Sequence, residues 1–597
     1  MSYPTLRASL AALIVLACAF APATAHAADP RKVAHLAFNS DPPGFDPAGP
    51  TDIFAAAIEE AIFDRLLTYD LLARPPKLVP MAAAAMPEIT DGGRTYTVHL
   101  KKGIYFAPDP AFKGAKRELI AQDFVYSAMR FVDPKQRSPY SFLFRGKLVG
   151  LDAVAERSKA NGKFDYDAKV PGLEAVDRYT IRYRLTEPDF TFSYILAHGS
   201  YGAVAHEVVE AYSVDIAAHP VGSGPYMLKE WTPGLKVVLE ANPSYRGFTW
   251  DFAPTADPRD RLLVEQMRGK KLPQIGRIEY QVIEDNNPLW LSFRSGKLDV
   301  INVPPRYADE AAPDGQLNPE LAKQGVTMYR WFPPNAIFAD FNFRDPVVGG
   351  TTPDKIALRR AIAMAYDREE EIRIVRRGLA IRTEMPIPPD VVGVDPTYKR
   401  GIPYDPAAAG LLLDRFGYKR GADGFRTLPD GKPLLITVAT STDTFYRDLD
   451  TLWQKSLQRI GLRTSFQMVR SNEQAQMSIA CKIPIFQYGW FADYPDADNF
   501  MQLFYSKNIG ESNVACYASP AYDKLYEHSR ALPDSPERNK LYVEMSRLLE
   551  ADTVFVLQAS PARMTVVQPW LLGHKAHPIM NTIVPCLDID LERQQKR

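Results

Sequence analysis

Cysteine is scarce in this chain, with four in 597 residues at positions 18, 481, 516 and 586. They lie too far apart for a structural zinc site, which draws about four ligands together at short spacing. Charge of one sign is also missing, since 71 Lys plus Arg balance 71 Asp plus Glu. Nucleic-acid binders usually carry a basic surplus and disordered acidic chains the opposite, so both classes drop out. No apolar run beyond the first 27 residues approaches the ~20 needed to cross a bilayer. Internal repeats, low-complexity tracts and charge blocks are absent, which excludes solenoids and tails. The catalytic signatures are absent too. There is no G-x-x-x-x-G-K-[ST] loop and no H-E-x-x-H helix. Gly222-Ser223-Gly224 and Gly199-Ser200-Tyr201-Gly202 both lack the spacing of a G-x-S-x-G nucleophile elbow. His574 and His577 form an H-x-x-H beside Lys575 and Pro578. They read as two surface imidazoles in a loop, because two ligands without a third do not hold a metal. Neither a metal nor a cofactor is expected.

What is present is an ordinary globular composition, 46% hydrophobic and 24% charged. The length is about four domains' worth at ~150 residues each. The 50 prolines, 29 tyrosines and 30 phenylalanines point to many loops and an aromatic-rich surface or cleft. Residues 1–27 read as a cleaved signal peptide: Arg7 gives a positive start, Ala8 to Phe20 is short and apolar, and Ala25-His26-Ala27 is a small-x-small cleavage site. Lipid attachment at Cys18 fits less well, since Leu16-Ala17 is a poor match to the small residues that precede a lipid-bearing cysteine. Export places Cys481, Cys516 and Cys586 in an oxidising compartment, where three thiols allow one internal disulfide. Cys481 and Cys516 bracket one structural unit and are the expected pair, although sequence alone leaves the pairing open.

The periodicities are those of an α/β chain. Thr95 to Leu100 puts Tyr96, Val98 and Leu100 on one face, and Thr180 to Leu185 does the same with Ile181, Tyr183 and Leu185, so both read as half-buried strands. Leu358, Ala361, Ile362, Ala365 and Tyr366 form one helical stripe. Asp367 and Glu370 have the spacing of a capping box for a second helix that stops near Gly378. Leu434 to Ala439, Phe445 to Ile460 and Leu462 to Val469 read as strand, helix and strand, which predicts a βαβ crossover and a largely parallel sheet. Another strand, Ile485 to Phe491, follows.

Two segments stand out. Pro220 to Tyr226 contains Gly222-Ser223-Gly224 before a proline, which as local structure is a turn feeding a strand. In Tyr488 to Phe500 an apolar strand ends abruptly in Asp493, Asp496 and Asp498 beside Tyr494 and Pro495. Three aspartates at a strand end could be a solvated turn, calcium ligands without the EF-hand frame, or a counter-charge for a cationic ligand walled by Trp490 and Tyr494.

Together with Phe45-Asp46-Pro47, Ile62 to Tyr69, Thr95 to Gly103, Ala121 to Tyr126, Phe341-Asn342-Phe343 and Ala357 to Asp367, these segments resemble the peptide, opine and nickel class (family 5) of extracytoplasmic solute-binding proteins that feed ABC importers. The likeness covers nearly the whole chain after residue 27. It implies a two-lobed periplasmic-binding-protein fold of type II with mixed sheets flanked by helices and a hinge between lobes. By this resemblance lobe 1 comprises 28–70, 215–331 and 563–597, an extra subdomain spans 71–214, and lobe 2 spans 332–562. In the family, the aspartate at the position of Asp493 salt-bridges the ligand's α-amino group. The preceding Gly489-Trp490-Phe491-Ala492 stretch pairs with the ligand's backbone. Some relatives place a basic residue two positions before that glycine to meet a ligand carboxylate; here the position is Gln487. The function implied is a periplasmic, monomeric, non-catalytic receptor for a peptide-like solute with a free amino group, delivering it to a membrane permease and ATPase. Haem, a metal chelate, an opine or an oligosaccharide are the alternative ligands, and a secreted hydrolase the alternative class.

Overall fold

The strand Asp29–Phe38 buries Ala34, Leu36 and Phe38 on one face and pairs in parallel with Ile275–Val282. Antiparallel Lys236–Ala241 and Tyr226–Thr232 complete this first sheet. These elements belong to a computed structural model that describes residues 28–49, 52–441, 444–469 and 471–596. The expected signal segment, with Cys18, lies outside the described residues. Against the first sheet packs the helix Ile53–Ile62, whose Asp52 cap accepts from the Phe54 and Ala55 amides.

A second, all-antiparallel sheet runs Glu88–Thr90, Thr95–His99, Thr180–Arg184 and Leu173–Asp177. The period-two pattern holds here: Tyr96, Val98, Leu100, Ile181, Tyr183 and Leu185 are all buried, and they share a core with the helix Ala121–Val132. The turn at Gly222-Ser223-Gly224 ties this core to the first sheet. A Cβ on Gly222 would lie 2.1 Å from the Ile62 carbonyl oxygen and one on Gly224 2.6 Å from it, so only glycine lets the backbones approach. The Gly224 amide donates to that same carbonyl at 2.8 Å, and the chain then runs into the Tyr226–Thr232 strand.

The third sheet has five strands in the order Arg463–Met468, Leu435–Thr440, Ile485–Phe491, Asn335–Phe341 and Phe555–Leu557. The predicted βαβ unit is present. Leu435–Thr440 and Arg463–Met468 are parallel, and the intervening helix Thr444–Arg459 buries Leu449, Leu452, Trp453 and Leu457. The sheet is mixed rather than largely parallel. Asn335–Phe341 enters the sheet antiparallel to both its neighbours, so only the pairs that Leu435–Thr440 makes are parallel. The stripe Leu358 to Tyr366 is buried on the helix Pro353–Ala365. The second helix departs from expectation. Asp367 does accept from the Glu370 amide at 2.9 Å, but Glu370 turns to Lys455 instead of closing the capping box. One turn, Arg368–Glu370, then passes into a π-helical turn, Glu371–Val375, where fully buried Glu371 takes Tyr366 and Arg376.

Two short segments link the halves. Thr327–Trp331 leads through Phe332 to Pro334 into Asn335–Phe341, and Phe555–Leu557 leads through Gln558 to Ala562 into Arg563–Val567. The strands on the near side pair antiparallel with Trp331 opposite Arg563. The crossing segments are laced together where Ser560 Oγ donates to the Asn335 carbonyl at 2.7 Å.

Candidate functional site

The strand Ile485–Phe491 has two unlike edges. Along one it pairs with Asn335–Phe341 through seven residues, Phe491 opposite Asn335 and Ile485 opposite Phe341. The Ala492 amide donates to the Pro334 carbonyl, and the Asn342 amide to the Pro484 carbonyl, each at 2.9 Å. Both bonds join residues directly opposite each other, so even-numbered residues form the hydrogen-bonded pairs. The main-chain groups of Gln487, Gly489 and Phe491 therefore point to the other edge. There, among the described residues, the sheet contact is confined to Val438 opposite Ile485. Gly489 and Phe491 are exposed, Phe491 by 52%.

Asp493 lies two residues past the end of this strand. Asn499, fully buried, fixes it from both sides: its Nδ2 donates to Asp493 Oδ2 at 3.0 Å, and its Oδ1 accepts from the Asp493 amide at 3.1 Å. The same Oδ1 accepts from Trp490 Nε1 at 2.8 Å, which locks the indole beside the carboxylate. Burial raises the Asp493 carboxyl above the usual aspartate range, opposed by the Asn499 bond. Tyr69 and Tyr140, from the other half of the molecule, lie within electrostatic reach of it. Tyr494 stacks on Tyr194 of the antiparallel-sheet core, with centroids 5.6 Å apart and planes at 9°. Its hydroxyl donates to Asp498 at 2.6 Å. Nearby, Arg530 pairs with Asp189 at 3.0 Å across the same gap, so the two halves are in contact.

The three aspartates are neither a solvated turn nor a shared cation site. Asp496 is 1% exposed and takes both Nη atoms of Arg538 at 2.7 and 2.8 Å. Asp498 caps Tyr494 as described, and among the described residues no group of three or more acidic, His or Cys side chains could hold a metal. Asp493 alone of the three has neither an ion pair nor a hydroxyl donor among the described residues.

Gln487 faces the core behind the strand. Its Oε1 accepts from Trp453 Nε1 at 2.6 Å and from Gln558 Nε2 at 3.2 Å, so the side chain is committed internally. The two histidines are not surface groups. His577 is 3% exposed and its Nδ1 accepts the Ile579 and Met580 amides, while His574 Nδ1 meets the Tyr329 hydroxyl at 2.6 Å. Burial pulls His574 down to about 4, so it is neutral at pH 7. His574 is half-buried, and Lys575 between the two is itself buried and pairs with Asp260 at 2.5 Å. Cys481 and Cys516 form a disulfide with Cα atoms 6.1 Å apart, and Cys586 is a buried free thiol. The bond links the approach to the Ile485–Phe491 strand with the loop after Phe504. Asn499 was missed by sequence reasoning, since an asparagine six residues beyond an aspartate carries no spacing signal until the turn is folded.

A two-lobed α/β binding protein, with an open strand edge and a desolvated carboxylate between its halves, is the class these features define. The chain belongs to the bacterial extracellular solute-binding proteins, family 5: the profile described as "family 5 Middle" matches residues 77–512. It is 25% identical over 555 residues to the periplasmic oligopeptide-binding protein OppA of Escherichia coli, covering 88% of this chain and 86% of that one. It is 25% identical over 577 residues to a dipeptide-binding protein of Pseudomonas aeruginosa, with 94% of each chain covered. It is also 23% identical to heme-binding protein A of Haemophilus influenzae, over 87% of this chain and 86% of that one. Among solved structures it resembles DppA from Helicobacter pylori in complex with the peptide STSA, with a TM-score of 0.70, 22% identity, and 93% and 98% of the two chains covered. That likeness confirms the fold. Among the described residues no helix is long and apolar enough to cross a membrane.

Proposed function

We propose that this protein captures peptide-like solutes bearing a free amino group. In this reading the ligand's main chain adds as a strand to the outer edge of Ile485–Phe491, with Gln487, Gly489 and Phe491 supplying the main-chain partners. The observation that carries it is the parity of that edge: outward amides and carbonyls at the exposed Gly489 and Phe491, continuing inward to the buried Gln487 and ending at the other side beside Asp493. Main-chain bonds ignore side-chain identity, so such an edge accepts many sequences. Asp493 supplies the counter-charge for the ammonium, Trp490 and Tyr494 wall the site, and Asn499 positions the carboxylate. The relatives named for oligopeptides and dipeptides support the reading, and a haem ligand would make no use of an open strand edge.

Capture proceeds by closure of two lobes about the crossing segments near Trp331 and Arg563. Lobe 1 is taken as 28–70, 215–331 and 563–597 with the extra subdomain 71–214, and lobe 2 as 332–562. A ligand drives closure only by binding the closed form better than the open one. The loaded protein, acting as a periplasmic monomer after loss of its signal segment, hands the solute to an ABC permease and its ATPase without chemical change. Titration calorimetry with free and N-acetylated peptides tests the reading. Asp493→Asn keeps the shape and removes the charge, and truncating such a pair costs roughly 2 to 5 kcal/mol. Affinity for free peptides should fall about 30-fold to several thousand-fold. Equal binding of acetylated and free peptides by the wild type would refute the ammonium site.

A further inference from the structure

The arginines withdrawn from solvent in this protein are answered by acceptors. Arg130, Arg246, Arg530 and Arg538 each meet an aspartate, and Arg359 donates to the carbonyls of Asp552, Thr553, Val348 and Gly350. Arg563 departs from this pattern. It is half-buried, yet among the described residues it donates no hydrogen bond and forms no ion pair. Burial alone acts on it, with no carboxylate offsetting the desolvation. A guanidinium with five donors is not ordinarily withdrawn from water without acceptors.

Its place in the fold gives the omission a meaning. Arg563 opens the second crossing strand, directly opposite Trp331. Two residues further on, on the same strand face, Thr565 is fully engaged, accepting Trp331 Nε1 at 3.0 Å and donating to Asn302 Oδ1 at 2.8 Å. The Arg563 guanidinium lies instead 6.0 Å from the ring of Phe491, the exposed last residue of the open strand edge in the opposite half. Among the described residues, the gap between the halves therefore holds a desolvated carboxylate without a cation, that of Asp493, and a desolvated guanidinium without an anion, that of Arg563. The second is supplied by the half of the molecule that does not carry the first.

We propose that Arg563 recognises a carboxylate of the bound solute, pairing with it in the fork geometry of a guanidinium when the halves close. The inference rests on the peptide-capture reading and deepens it. It assigns to the crossing strand the anion recognition that Gln487, turned into the core, does not provide. The carboxylate has two possible sources on a peptide, the free C-terminus or an acidic side chain.

A random tripeptide library, prepared once as free acids and once as C-terminal amides, separates these sources when captured peptides are weighed by mass spectrometry. Wild-type protein is expected to favour free acids over amides by about tenfold or more, as for a partly desolvated charge pair. If the source is the side chain, the amides captured are instead enriched in Asp and Glu. In either case Arg563→Met erases the preference, and Arg563→Lys retains part of it. Because Arg563 has no hydrogen-bond or ion-pair partner among the described residues, and Met keeps an apolar chain against the Phe491 ring, Arg563→Met should melt no lower than wild type, whereas loss of an arginine holding an internal ion pair would lower the melting temperature. Capture of neutral amides as readily as acids by the wild type, or an acid preference that survives Arg563→Met, overturns the inference and leaves peptide capture standing. Capture of neither library overturns peptide capture and the inference with it.

Discussion

Asp64 and Asp493 are both aspartates placed just after an element that packs into a core, and they end differently. Asp64 is wholly buried and fully answered, with Ser223 Oγ at 2.9 Å and the two Nη atoms of Arg246 at 2.6 and 3.1 Å. Around it Gly222 and Gly224 exist so that two backbones can touch. Asp493 has a single amide from Asn499 on its carboxylate and no cation among the described residues. The comparison teaches that a conspicuous motif is structural when the chain itself completes every bond. It points outward when the chain positions a group with care and then leaves its charge unanswered.

The largest effect that tests this contrast is on folding. Arg246→Met strands the Asp64 carboxylate in the core and should cost roughly 3 to 5 kcal/mol in a denaturant titration while leaving ligand affinity near normal. Asp493→Asn should do the reverse, with a stability change under about 1 kcal/mol. Next comes the disulfide. Replacing Cys481 and Cys516 by serine frees a loop of 35 residues and should lower stability by about 3 to 4 kcal/mol, read as a shift in the unfolding midpoint.

A third aspartate sharpens the comparison from another direction. Asp340, 2% exposed, has among the described residues only the Tyr488 hydroxyl at 3.1 Å, and burial pushes its carboxyl up from 3.8 to about 8. The folded state thus holds a proton that the unfolded chain releases between those values. This group's contribution to stability is greatest below about pH 4, falls as the pH rises through that window, and levels off above about pH 8. Asp340→Asn should gain at least ~1 kcal/mol over wild type at pH 8 and little at pH 4, measured as melting temperature against pH. The smallest effect concerns Asp493 itself. Its raised carboxyl must ionise to meet an ammonium, so affinity for free peptides should begin to fall, on acidification, at a higher pH than an ordinary aspartate would give.

Much of the architecture was legible because it rests on periodicity. Tyr96, Val98, Ile181 and Tyr183 alternate into one core, and Leu449 to Leu457 follow a helical stripe, whatever the rest of the chain does. The Ile485–Phe491 strand was read to the residue. What stayed hidden depends on partners distant in sequence. Arg538 takes Asp496 from 42 residues away, and Arg563 reaches Phe491 only after the chain has crossed between the halves twice. The H-x-x-H spacing reads as a surface pair because it does not show that His574 meets Tyr329 from 245 residues away or that His577 turns back onto the Ile579 and Met580 amides. The π turn at Glu371–Val375 follows from a buried glutamate that binds Tyr366 and Arg376, a preference that capping rules do not contain. Of the proposed site, Asp493 and its strand were legible by resemblance. Asn499, which fixes them, became visible only once the turn brought it back.

The central claim is that the outer edge of Ile485–Phe491 accepts a ligand's main chain, and amide hydrogen exchange resolved at single residues tests it most directly. On adding a saturating free peptide, the amides of Gly489 and Phe491 should become strongly protected. Those of Tyr488 and Trp490, already bonded to Asn335–Phe341, should change little. Protection that is equal at odd and even positions, or absent at Gly489 and Phe491 while the peptide is bound, would contradict strand addition at this edge.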